Sequence, residues 1–518
     1  MEDEGADVVA EAPSFSSPAG AASSGGAADS SATSDKANVG PYKLPVPNTL
    51  EGVDCPGLLA QTGTLQWDTV GRSRKSASDL TPLDLMEPTI LSSNSQLKGT
   101  KVAFVACSSS SCHSVAVTSE GAAYGWGRNE CGQLGNGGTE TVVAPMKLSG
   151  PWGVRTKIVS AAVGKYHTVL VDSKGNGWAA GRNFEGQLAI NSVNREANIT
   201  TFKQCKVAGE NAEAKLVKVA CGENFTVALD EFGFLYTAGN SEFGTLGNGE
   251  TGEHFVTANK IAFDPCGKLT RRSTFVRRDF KFKDSDKPEV LPDSSSIRIQ
   301  SIACGKFHTV AIEAARDGAP SRVFTWGCGN YGTLGHKVQK DEYFPRLVEI
   351  LTGPVFASNM PVDAVCGSTC TIVRTSQGHG YYFGKHKVAG EATMHPTILD
   401  FMANNGHKIS HLGAGNMHVV ISTSEGQTVS YGMGGYGELG YGKDGARSSA
   451  QPKFIDSLNG IQVLDLACGY GHTAFILRDQ GEEKTLLKKL PQFDAAEEGS
   501  DDEEVEEPQK KKKKQKKQ

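Results

Sequence analysis

Hydrophobic residues along this chain come in short β-branched runs separated by glycine and polar turn residues. Thr168 to Asp172, Thr226 to Leu229 and Ala474 to Leu477 are such runs, and Ser173-Lys174-Gly175-Asn176 is such a turn. Short runs bounded by turn signals predict strands, and no unit holds the roughly ten residues at helical period that a helical repeat needs. The runs sit inside two patterns that recur in fixed order. The first ends in a small residue and Gly, often with His-Thr three residues on. It reads Val163-Gly164-Lys165-Tyr166-His167-Thr168, then Cys221-Gly222 to Phe225-Thr226, Cys304-Gly305 to His308-Thr309, Cys366-Gly367 to Cys370-Thr371, Ala414-Gly415 to His418 and Cys468-Gly469 to His472-Thr473, with Cys107 to His113 a degenerate copy. The second runs Trp126-Gly127 through Gly132 to Leu134-Gly135 and recurs from Gly181, Gly239, Gly327 and Gly432, whereas Tyr382-Phe383-Gly384 keeps only its first half.

A period of about 50 to 60 residues built from strands predicts a ring of small antiparallel sheets. The first run, Gly57 to Gln61 leading to Trp67-Asp68, carries only the second half of a unit, and the last, Val463 to Leu477, only the first half. Joined, they complete one blade and remove the open edges of the ring. The expected fold is all-β, a seven-bladed β-propeller closed by pairing of N- and C-terminal strands.

Composition refines this. The 61 Gly in 518 residues suit a turn-rich chain, and no run approaches the ~20 apolar residues of a membrane helix. A net charge of −5 identifies no partner but conceals a polarised tail. Residues 1–52 are mostly Ala, Ser, Gly and acid with almost no large apolar residue before Tyr42, and are expected to be disordered. The propeller is expected over 53–477, with an insertion at about 266–296. Residues 478–518 are expected to form a short helix within Lys484 to Phe493, an acidic block from Glu497 to Glu507, and a basic run of Lys510, Lys511, Lys512, Lys513, Lys514, Lys516 and Lys517. That run suits nuclear import or nucleic-acid binding. Ser500 before Asp501-Asp502-Glu503 is a candidate phosphorylation site.

The acidic start lacks a secretory signal, so the 12 cysteines are read as reduced thiols. They are scattered in repeat register without paired zinc spacing, and neither a metal nor a cofactor is expected. Gly327-x-Gly329-x-x-Gly332 and Gly432-x-Gly434-x-x-Gly437 match a dinucleotide fingerprint but sit at repeat turns without βαβ context. His407 and His411 flank a strand start and lack the Glu of a metalloprotease helix.

Together the two patterns resemble the repeats of the regulator of chromosome condensation family of seven-bladed propellers. Trp67-Asp68-Thr69-Val70-Gly71-Arg72, Cys107 to Ser114 and Leu486 to Pro491 look closer to its telophase-disc branch than to the Ran exchange factor. The resemblance implies a nuclear, chromosome- and spindle-associated protein of mitosis, partly cytoplasmic, that binds a small GTPase, of Rac, Ral or Arf type rather than Ran, as an exchange factor or regulator. Exchange breaks no covalent bond, so no catalytic residue is expected. The alternative is a non-catalytic scaffold, displaying loops and a basic tail to protein partners, chromatin, RNA or microtubules. Either reading expects a monomer without membrane insertion.

By resemblance, the GTPase surface lies in the loops after the first-pattern Gly. Those positions are Lys165, Tyr166, His167, Glu223, Asn224, Lys306, Phe307, His308, Asn416, His418, Tyr470 and His472. Only Glu223 among them is acidic, which argues against Ran. Histidines recurring at one repeat position also suit structural bonds between blades. The insertion supplies Arg271, Arg272, Phe275, Arg277, Arg278, Lys281 and Lys283 as further GTPase-contact candidates, where the resemblance places a wedge. Cations interleaved with aromatics equally suit phosphates of nucleic acid, an acidic partner or a solvated loop.

Overall fold

A computed structural model describes residues 44, 57–68, 70–71, 84–91, 96–250, 259–272, 288–315, 320–385 and 390–493. Most of 1–52, the middle of the insertion, Ser500, the acidic block and the lysine run lie outside them. The strands form seven sheets, six of four strands and one of six. Blades 2 to 7 span 102–147, 158–204, 216–265, 299–347, 361–398 and 409–454. Blade 1 closes the ring: Leu58–Gly63 pairs with His472–Leu477, Leu58 opposite Leu477 and Gly63 opposite His472. The chain is thus an all-β, seven-bladed propeller fastened by its own two ends.

The second strand of each blade is buried or nearly so along its length, while the fourth strand of blade 7, Ser448–Phe454, is largely exposed. The core is accordingly not one mass. Seven buried clusters fill the seven spaces between neighbouring blades, for example Val159, Val169, Leu188, Val219 and Phe263 between blades 3 and 4. Each blade therefore depends on both neighbours, which is why a repeat of this kind needs a closed ring.

The repeat glycines answer to close approach. A methyl on Gly164 would lie 2.1 Å from Cε1 of His167, and one on Gly469 would lie 2.0 Å from Cε1 of His472. The small residue thus clears space for the imidazole three residues on.

Several details go beyond the sequence pattern. Blade 6 keeps its fourth strand, Thr393–Ile398, although its second pattern is truncated. The insertion builds two short strands, Thr270–Arg272 and Glu289–Val290, onto the outer edge of blade 5, Thr270 lying parallel to Arg346. After blade 1 comes a helix, Glu483–Leu487, and the chain then lies along Ile90, whose N–H donates to the Pro491 carbonyl at 2.8 Å. Leu487, Leu490 and Phe493 are buried there. Leu44, in the segment expected to be unstructured, is also buried.

Candidate protein-interaction face

One face of the ring gathers the loops between first and second strands and those between third and fourth. Around the channel mouth the loops hand on backbone hydrogen bonds. Lys165 N–H donates to the Glu223 carbonyl (3.3 Å), Glu223 N–H to that of Lys306 (3.0 Å), Asn416 N–H to that of Gly469 (3.3 Å) and Tyr470 N–H to that of Ser111 (2.8 Å). At blades 3 to 5 side chains repeat the linkage: Lys165 Nζ lies 2.7 Å from Glu223 Oε1, and Lys306 Nζ 3.3 Å from Glu223 Oε2. Partial burial works against the Lys165 charge, but the hydrogen bond and field of Glu223 outweigh it and hold the ammonium pKa above its ordinary value.

Aromatic rings surround this triad. Arg182 stacks on Phe184 at 4.3 Å and faces Tyr166 at 5.7 Å, Lys306 sits 5.0 Å over Phe307, and Phe307 meets Phe243 at 5.3 Å. Tyr331 is 46% exposed, with Lys385 at 6.0 Å. Phe243 and Tyr331 occupy the same repeat position in blades 4 and 5, and both have φ of +59°. That region is unfavourable for a bulky residue, and such strain concentrates at functional sites. Aromatic and arginine side chains with partly exposed cations are the composition of protein-binding surfaces. The signal lay in the sequence, in the aromatic of Asn183-Phe184-Glu185-Gly186, Glu242-Phe243-Gly244 and Asn330-Tyr331-Gly332, but it hid inside the repeat consensus.

The histidine candidates need correction. His308, His418 and His472 are at most 2% exposed, and each Nε2 meets a hydroxyl of the next blade: Thr371 at 2.9 Å, Thr473 at 3.0 Å and Ser114 at 2.7 Å. His113 and His167 do the same with Thr168 and Thr226. The hydroxyls of Thr226, Thr371 and Thr473 donate their single hydrogen to the carbonyls of Gln187, Thr333 and Glu438. The imidazole must therefore be the donor, which assigns the neutral Nε2–H tautomer to His167, His308 and His418. Burial lowers the pKa of His167 and His472 to about 3 and of His308 and His418 to about 4. These histidines form a belt inside the ring wall, out of reach of a partner. Replacing His308 by alanine is expected to cost about 2–3 kcal/mol of stability, through a cavity and an orphaned bond, while leaving partner binding of the folded fraction intact. Urea unfolding beside a pull-down checks both halves.

Among the described residues of the insertion, Arg271 does not join the triad. Arg271 lies beside the far end of blade 5's outer strand, 3.9 Å from Glu349 and 54% exposed, whereas Lys306 sits in the loop at the opposite end of that blade. Arg272 ends the short strand Thr270–Arg272. Phe275, Arg277, Arg278, Lys281 and Lys283 lie outside the described residues.

The comparisons with known proteins match this architecture. The family model for the RCC1-like domain fits residues 61–475. The chain belongs to the RCC1-like domain family. Within it, human Protein RCC2 is 33% identical over 452 residues, covering 86% of this chain and 81% of the human protein. The Xenopus laevis Protein RCC2 homologue is 32% identical over 452 residues, 86% of this chain and 82% of that protein. Among solved structures, Prp20p from Saccharomyces cerevisiae superposes with a TM-score of 0.60 at 18% identity, covering 86% of this chain and 95% of that one. For an RCC1-like domain, then, the aromatic face and the histidine belt are two layers of one repeat: one outward and variable, one inward and repeated.

Proposed function

We propose that this RCC1-like propeller binds a small GTPase through the Lys165–Glu223–Lys306 triad and its aromatic surround, and that it promotes nucleotide release from a Rac-, Ral- or Arf-type member during mitosis. The observation that carries this reading is the pair of strained rings, Phe243 and Tyr331, held among partly exposed cations on one face. An exchange factor works by binding the nucleotide-free GTPase more tightly than the loaded one, which requires a preorganised surface and no nucleophile. The buried groups agree with that. Burial pushes the thiols of Cys205, Cys304 and Cys370 up to about 12, leaving them protonated, and the belt histidines are neutral and engaged. Sequence similarity to Protein RCC2 and the described binding of Prp20p to Gsp1p and histones support a GTPase partner together with chromatin. The lysine run 510–517 supports nuclear import and nucleic-acid contact, and phosphorylation at Ser500 would add to the acidic block ahead of it.

Release of a fluorescent guanine nucleotide from Ran, Rac, Ral and Arf proteins tests the proposal. Acceleration is expected for one of the last three, falling roughly thirtyfold or more in Phe243→Ala/Phe307→Ala, the size of a hot-spot loss. Changing Arg271, Arg272, Arg277 and Arg278 to alanine separates the insertion from the face. Binding without acceleration would make the protein a scaffold. Failure to bind any member would end the GTPase reading.

A further inference from the structure

On the face opposite the aromatic one, blades 4 and 5 enclose a groove. A cavity of about 360 Å³ is lined there by Phe234, Tyr236, Pro265, Leu269, Ile297 and Ile299. At its rim, Phe232 and Phe234 are 39% and 42% exposed on the turn between second and third strands, with Arg298 stacked 4.3 Å from Phe234. Leu44, only 8% exposed, belongs to the buried cluster of Leu235, Leu269, Leu291 and Ile297. Its N–H donates to the Glu231 carbonyl at 2.7 Å. We propose that this groove recognises an extended leucine–proline segment and that its resident occupant is the chain's own stretch 42–48, Tyr-Lys-Leu-Pro-Val-Pro-Asn.

The sequence fits the groove. Residues 1–40 hold only Met1, Val8, Val9, Phe15 and Val39 as large apolar side chains, and 42–48 then bring Tyr42, Leu44 and Val46 with Pro45 and Pro47. Proline-rich stretches are extended before they bind and dock on aromatic-lined grooves at little entropic cost. The connection is feasible as well. Gly57 pairs with Val102, and Leu58 lies opposite Leu477, so the chain enters blade 1 on the same face as the Glu231–Phe234 turn. The stretch from Leu44 to Gly57 reaches at most about 45 Å when extended. Seated this way, Leu44 packs with Leu269 and Leu291, which flank the two short strands of the insertion. The N-terminal segment then acts as a strap that fixes the base of the insertion to blade 4.

Hydrogen exchange on the full chain tests this, comparing wild type with Leu44→Asp and Leu44→Met. The aspartate variant is expected to exchange about ten- to a hundredfold faster at 231–236, 268–272 and 289–299, the equivalent of losing one buried leucine. The methionine variant is expected to keep its protection, and blades 2 and 7 report that the ring itself is folded. A synthetic peptide of residues 39–50, in excess over the aspartate variant, is expected to restore protection. Unchanged exchange in Leu44→Asp overturns the proposal. So does sedimentation showing a dimer that keeps the groove protected in that variant, because the occupant would then be a second copy.

Discussion

Replacing Gly181 by alanine is expected to remove about 3–5 kcal/mol of stability, a third or more of what a typical domain has. Gly181 follows the small residue that opens the second pattern and has φ of +112°. An added methyl would lie 2.2 Å from the Tyr166 carbonyl oxygen and 2.8 Å from Cα of His167. That carbonyl accepts the Arg182 N–H at 2.9 Å, so relief of the overlap breaks the bond that positions the loop of blade 3. Backbone handedness and steric overlap therefore add. Gly209 separates them: its φ is +67° with nothing within 4 Å of an added methyl, so alanine there costs only about 1–2 kcal/mol. Urea midpoints of the two variants give the comparison, and equal losses would refute the steric part.

The second large effect is pH-dependent and sits at the ring closure. Glu438 fills a slot that glutamine occupies in blades 2 and 3, where Gln133 and Gln187 accept the N–H of Cys131 and Glu185 as Glu438 accepts that of Tyr436 at 2.7 Å. Its backbone carbonyl also receives the hydroxyls of Thr62 and Thr473, the two strands that close blade 1. Burial raises the carboxyl from its ordinary 4.5 to about 7, against lowering by backbone hydrogen bonds. A raised folded pKa gives stability that is complete below pH 4.5 and lost as pH rises through 7. The loss amounts to about 3 kcal/mol. Glu438→Gln keeps the accepting oxygen and carries no charge, so it is expected to match wild type near pH 4 and exceed it by about 3 kcal/mol at pH 8. Equal stability of the two at pH 8 would show that the carboxylate ionises there without cost. The belt histidines contribute with the opposite sign, losing stability as pH falls below 6.5, and cancel in the difference between the two proteins.

Repeat period, strand character, blade number and ring closure were all legible in the chain, because each follows from turn chemistry and alternation within one unit of about 60 residues. The half-unit at Gly57 and the half-unit ending at Leu477 by themselves identify the closing sheet. Even the glycines of both patterns declared themselves, since a position that rejects a methyl does so in every copy.

Inter-blade contacts were not legible. A ring nitrogen of His308 finds its partner 63 residues on, at Thr371, and nothing local distinguishes a histidine facing a neighbouring blade from one facing a partner. Ring geometry alone decided that Glu223 is shared by two lysines from flanking blades, that Arg271 and Lys306 stand at opposite ends of one sheet, and that Leu44 is buried. The sequence by itself determined the unit and how many times it recurs, because backbone conformation and burial pattern are local. Tertiary structure decided which side chains act together, because that depends on which units the closed ring makes adjacent.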